Sequence, residues 1–126
     1  MTTWKEIKLG EIADVIGGGT PSTKNSSFWG GEIPWLTPKD LSGYNKRYIS
    51  EGERNITLEG LNSSSSRLLP KNTILLTSRA PIGYLAISST SLCTNQGFKS
   101  IVLKQGFDPL FFFYLLKNNI EYIISM

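Results

Sequence analysis

The 126-residue chain is 40% hydrophobic and 11% aromatic, has a formal net charge of +3, and contains one cysteine and no histidine. That composition fits a single folded domain rather than a disordered chain. With no histidine and one cysteine, the common zinc sites, histidine acid–base chemistry, serine triads and an intrachain disulfide are excluded.

The first segment, Trp4–Leu9, alternates loosely and reads as a short strand. Leu9–Ala13 reads as a helical turn, and Asp14–Ile16 as a lead-in to a glycine loop, GGGTPSTKNSSFWGG at Gly17–Gly31. Ile33–Thr37 is an apolar run bounded by turn residues, a strand candidate. Pro38 suits a first helical position with Thr37 as its cap. Ser42–Arg54 reads as an exposed polar loop, and Thr57–Leu61 as a short helix ending near Gly60 or Asn62. Ser63–Ser66 is a low-complexity run read as solvated loop, and Pro70–Asn72 is a turn. Thr73–Thr77, Tyr84–Ser88 and Phe98–Leu103 are strands. Asp108 and Pro109 supply a cap and a first position for a terminal helix that is apolar on most faces and expected to be well buried. Short, irregularly spaced strands with few helices predict an α+β domain: a mixed, mostly antiparallel sheet, a few short helices and a C-terminal apolar helix.

The glycine loop resembles a phosphate-binding loop only superficially. The nucleotide-hydrolase loop needs Lys followed by Ser or Thr after its last glycine; here Gly19 precedes Thr20-Pro21, and Lys24 precedes Asn25. The dinucleotide fingerprint fails because position 22 is Ser. What remains is a loop of short polar groups able to bond phosphates or base edges, or a surface loop packed by Phe28 and Trp29.

Charge is distributed unevenly. Residues 1–60 hold seven Lys/Arg and eight Asp/Glu, whereas residues 61–126 hold six Lys/Arg and only Asp108 and Glu121 as acids. No acid occurs from Gly60 to Phe107, a run that includes Arg67, Lys71, Arg79, Lys99 and Lys104. Such a run favours contact with a polyanion; its alternative is a stretch of neutral polar residues. Arg79, between a strand end and Pro81, is placed for a bidentate guanine contact or for pairing with an acid such as Asp40. Asn95 and Gln96 carry amides that can read adenine or can simply build a turn. Clustered carboxylates for a metal-dependent nuclease are missing from the pattern, as are the motifs of an amine methyltransferase.

Several stretches together resemble the target recognition domain of type I restriction–modification specificity subunits. They are GGTPS at Gly18–Ser22, FWGGEIPWLTPKDL at Phe28–Leu41, SSRLLPKNTILLTSRAPIGYLAI at Ser65–Ile87, TNQGFKSIV at Thr94–Val102 and FFFYLLK at Phe111–Lys117. The resemblance implies a non-catalytic domain that reads one half of a split duplex DNA site. It implies methyltransferase partner subunits using S-adenosylmethionine and, through them, motor–nuclease subunits using ATP and magnesium. None of these cofactors is expected on this chain. Residues 1–126 are read as one recognition domain, incomplete at its C-terminus, with a tendency to pair through the terminal helix. A cytoplasmic location follows from the single cysteine and from apolar runs too short to span a bilayer.

The expected DNA contacts are Lys24, Lys39, Arg67, Arg79 and Lys99 to phosphates or guanine, and Asn25 and Gln96 to base edges. Tyr44, Lys46 and Arg47 lie in a polar loop able to enter a groove. Two other readings stand beside this one: a carbohydrate-binding module using Trp29, Trp35 and Tyr44, and an assembly fragment complementing a longer specificity subunit.

Overall fold

The computed structural model describes residues 12–78 and 83–118. The expectations for Trp4–Leu9, most of Leu9–Ala13, and Arg79 lie outside the described residues. Among the described residues, eight strands divide over two sheets. β1 (Ala13–Gly17), β3 (Tyr48–Ile49), β5 (Ile74–Thr77), β6 (Leu85–Ser88) and β8 (Phe98–Leu103) form a five-stranded sheet in the order β1-β8-β5-β6-β3. β2 (Trp29–Leu36), β4 (Arg54–Ile56) and β7 (Cys93–Thr94) form a second sheet in the order β4-β2-β7. The β3–β6 and β2–β7 pairs are parallel and the others antiparallel, so the mixed, mostly antiparallel α+β expectation holds.

Alternation along the strands builds the layers. On one face of the large sheet, Leu75, Ala86 and Phe98 meet Leu36, Leu41, Leu69 and Leu92 in the central cluster. On its other face, Ala13, Ile74 and Ile101 meet Leu116 and Phe112 of α3 (Pro109–Asn118). The far side of the small sheet, with Trp35, Ile56 and Cys93, packs against Leu61 of α2 (Leu58–Asn62).

Short helices start where caps are available. Thr37 and Asp40 form a reciprocal capping box before α1 (Pro38–Leu41), with Asp40 Oδ2 accepting from the Thr37 amide at 2.8 Å. Thr57 Oγ1 accepts from the Gly60 amide and caps α2. Asp108 Oδ1 accepts from the Leu110 amide at the start of α3.

Four expectations need correction. Asp14–Ile16 is not a lead-in but the middle of β1, because β8 supplies a full antiparallel ladder from Ala13↔Leu103 to Gly17↔Lys99. The Ser42–Arg54 loop is interrupted by β3, whose Ile49 is buried in the central cluster, and Arg54 opens β4. Ser66 is not solvated; it is 7% exposed and its Oγ donates to the Gly19 carbonyl. Helix α3 buries Phe113 and Leu116 but leaves Phe111 56% and Tyr114 40% exposed. The helix lies on one sheet face, and among the described residues nothing covers its other face. β7 went unforeseen because two residues carry no periodicity.

Candidate nucleic-acid interface

The glycine loop is built by close packing. A Cβ on Gly18 would strike the Thr94 and Asn95 backbone, and one on Gly19 would lie 2.5 Å from Ser65 C and 2.6 Å from Ser66 N. The Gly19 amide donates to the Thr94 carbonyl. The Gly19 carbonyl accepts from the buried Trp35 Nε1 at 2.9 Å and from Ser66 Oγ at 2.8 Å. Gly18 and Gly19 therefore clamp the loop root between two other segments, Pro21 is buried beside them, and the loop beyond exposes Ser22–Asn25.

Strand register places further loops beside it. β1 ends at Gly17 opposite Lys99, and β5 ends at Thr77 opposite Phe98. β6 begins at Leu85 opposite Leu76, and Arg47 precedes β3, its carbonyl accepting from the Ile87 amide. The glycine loop, the 95–97 turn, the connection after Thr77 and the 42–47 loop thus all leave one end of the large sheet. Helix α1 joins them, because Asn95 N donates to the Leu36 carbonyl and Gly97 sits against Pro38. Four inter-strand spacings of about 4.8 Å make this end roughly 19 Å wide, comparable to five or six base pairs at ~3.4 Å rise.

Most of the expected contacts converge there. Lys24, Lys39, Lys46, Arg47, Gln96 and Lys99 are exposed on these loops or at their roots. The described loops of this end contain no acid, and Asp40 in α1 is committed to amides: Oδ2 accepts from Thr37 N and Oδ1 from Glu53 N. Asp40 is thus already engaged by the backbone. Arg67 lies to one side, exposed next to Ser66 at the foot of the glycine loop.

The amides are more constrained than their residue types imply. Asn25 Oδ1 accepts from Ser27 N and Ser27 Oγ, capping a 3-10 turn at Ser26–Phe28. Asn95 Oδ1 accepts from Gly97 N at 2.8 Å, which is turn chemistry. Gln96 Oε1 accepts from Thr20 Oγ1 at 2.6 Å, tying the turn to the glycine loop and turning its NH₂ group into the available donor.

The aromatic side chains named for sugar stacking do not form a platform. Trp35 is 4% exposed and Trp29 meets it edge-on at 4.9 Å. The Arg54 guanidinium covers the Trp29 ring at 3.8 Å. Tyr44 stands elsewhere, donating to the Tyr48 carbonyl within the 42–48 loop.

That loop borders a cleft of about 250 Å³ whose far wall is α3. Arg47 Nη1 donates to Tyr114 Oη at 2.8 Å. This bond, with the charge interaction with Tyr114, raises the pKa of Arg47 further above its ordinary value, so its charge is permanent. Lys117 also lines the cleft. Neither α3 residue was singled out from the sequence; the FFFYLLK run reads as core, and only docking on the sheet shows which side chains face the loop.

Among the described residues no cluster of His, Cys, Asp or Glu could hold a metal ion, and no helix is long and apolar enough to cross a membrane.

Fold and site define an α+β domain of two sheets, the larger of which presents cationic, acid-poor loops at one end. The model of the type I restriction modification DNA specificity domain matches residues 1–126, and the chain belongs to that family. It is 54% identical over 115 residues to the specificity subunit of type I restriction enzyme MjaIX from Methanocaldococcus jannaschii, covering 91% of this chain and 27% of that one. It is 36% identical over 104 residues to the EcoR124I/EcoR124II specificity subunit of Escherichia coli, covering 79% of this chain and 24% of the relative. The crystal structure of the HsdS subunit from Thermoanaerobacter tengcongensis superposes with a TM-score of 0.69 at 19% identity, covering 95% of this chain and 28% of that one. A structure concerned with complex assembly and conformational transition of the type I R–M system gives 0.64 at 20% identity, covering 92% and 28%. The chain spans about a quarter of the length of these relatives.

Proposed function

We propose that this chain is one sequence-recognition domain of a type I restriction–modification complex, reading a half-site in duplex DNA through the loop end of its large sheet. The observation that carries this reading is the convergence of Lys24, Lys39, Lys46, Arg47 and Lys99 on one acid-poor surface about as wide as a short DNA segment. Lysine and arginine there contact phosphates, positioning the domain; Gln96 and the loop tips reach base edges. In this reading the domain is a non-catalytic component that directs adenine methylation and cleavage by cytoplasmic partner subunits. S-adenosylmethionine, ATP and magnesium belong to those partners. Residues 1–126 act as a single recognition unit, and exposed Phe107 and Phe111 favour self-association beside α3.

The test is duplex binding by fluorescence anisotropy between 50 and 200 mM salt, followed by selection from a randomised pool. The expected result is binding that weakens steeply with salt and enriches a short motif. Salt-insensitive binding, or none at low salt, would overturn autonomous recognition and leave assembly with a longer specificity subunit as the function.

A further inference from the structure

The cleft between the 42–47 loop and α3 is not explained by the loop-end surface alone. Its floor is apolar, with Leu41, Leu85 and Phe113. Among the described lining residues the charged ones are all cationic: Lys46, Arg47 and Lys117, with no Asp or Glu. Arginine side chains at a surface ordinarily sample many rotamers, and fixing one costs entropy on binding. Here Arg47 is held before any ligand arrives, by its bond to Tyr114. Lys117 is restrained from the same helix, with Nζ 5.8 Å from the Phe113 ring centroid. Two cations are thus braced on opposite walls of a concave site, and none of its described lining residues is anionic.

The geometry points to a phosphate-binding cleft in which Arg47 and Lys117 together hold a backbone phosphodiester of the DNA, flanking the bases read by the other loops. Tyr114 is a positioning residue: it aims the guanidinium and touches no ligand. The inference rests on the DNA-reading function proposed above and adds α3 to the contact surface. Helix α3 also covers the large sheet, so DNA engagement at the cleft bears directly on the position of that helix.

The experiment has two arms on the 126-residue chain. In the first, inorganic phosphate is titrated while the Arg47 guanidinium NH resonances are followed by NMR. Saturable shifts in the wild type that are lost in Lys117→Ala support the cleft as an anion site; no shift in the wild type overturns it. In the second, the salt dependence of duplex binding is compared for Lys117→Ala, Tyr114→Phe and a control, Lys71→Ala. Lys71 is exposed in the turn preceding β5, at the opposite end of the sheet. One lost cation–phosphate contact lowers the slope of log K against log salt by about 0.9. Lys117→Ala is expected to show that loss, Lys71→Ala none, and Tyr114→Phe weaker binding with an unchanged slope. Equal slopes in all four proteins overturn the cleft while leaving DNA recognition standing. Phosphate shifts without salt-dependent DNA binding overturn both the phosphodiester assignment and the DNA-reading function.

Discussion

Replacing Gly19 by alanine tests the claim that the glycine loop is a packing device. A Cβ there would lie 2.5 and 2.6 Å from backbone atoms of Ser65 and Ser66, well inside contact distance, and backbone cannot rotate away as a side chain does. Relief requires the two segments to separate. Separation stretches the bonds that the Gly19 carbonyl accepts from Trp35 Nε1 and Ser66 Oγ, each worth ~1 kcal/mol. Overpacking adds ~1–3 kcal/mol. The reduced entropy of the unfolded chain returns less than ~1 kcal/mol. The net loss is therefore about 3–4 kcal/mol, against a typical total of about 5–15 kcal/mol. With a urea slope of about 1.5 kcal/mol/M, the midpoint falls by roughly 2 M. Gly17→Ala is the control: nothing lies within 4 Å of its Cβ, so its midpoint stays level or rises slightly. If Gly19→Ala unfolds within roughly 0.3 M of the wild type, the loop root is not clamped and the packing argument fails.

Two further outcomes concern buried groups. Burial raises the Cys93 thiol pKa from 9.0 to about 11. The folded protein then keeps a proton that the unfolded chain releases, so this contribution to stability is complete below pH 9 and is lost as pH rises toward about 11. Urea midpoints at pH 8 and pH 10 should fall less in Cys93→Ala than in the wild type, and a thiol reagent should react only on unfolding; fast labelling of the folded protein would refute this. Ser100 Oγ is buried without a hydrogen-bond partner, facing Leu75 and Ile16 across the ladders. Ser100→Ala should therefore be neutral or stabilising by about 1 kcal/mol in urea denaturation, and a loss of stability of that size would reveal a partner for the hydroxyl.

Much of the architecture was legible locally. Apolar runs at Thr73–Thr77 and Phe98–Leu103 are strands because they can be buried on both faces, and caps at Thr37, Thr57 and Asp108 start helices because their oxygens satisfy amides a few residues away. The acid-free stretch and the loop cations were also readable, since charge needs no fold to be counted. Pairing was not. Ile49, Ser66 and the β7 residues owe their burial to segments distant in the chain, and Asn95 and Gln96 owe their orientation to bonds no residue type announces. Local sequence by itself thus determined the longer apolar strands, the helix starts and the chemistry available at the loops, whereas β1, β3, β4 and β7 needed their pairing partners. Tertiary structure decided which loops share one end of a sheet, that Gly18 and Gly19 are packed rather than open, and that Tyr114 meets Arg47 across 67 residues of chain. The physical reason is that contacts far apart in sequence are selected by the collective burial of two sheets and a helix, which no single segment encodes.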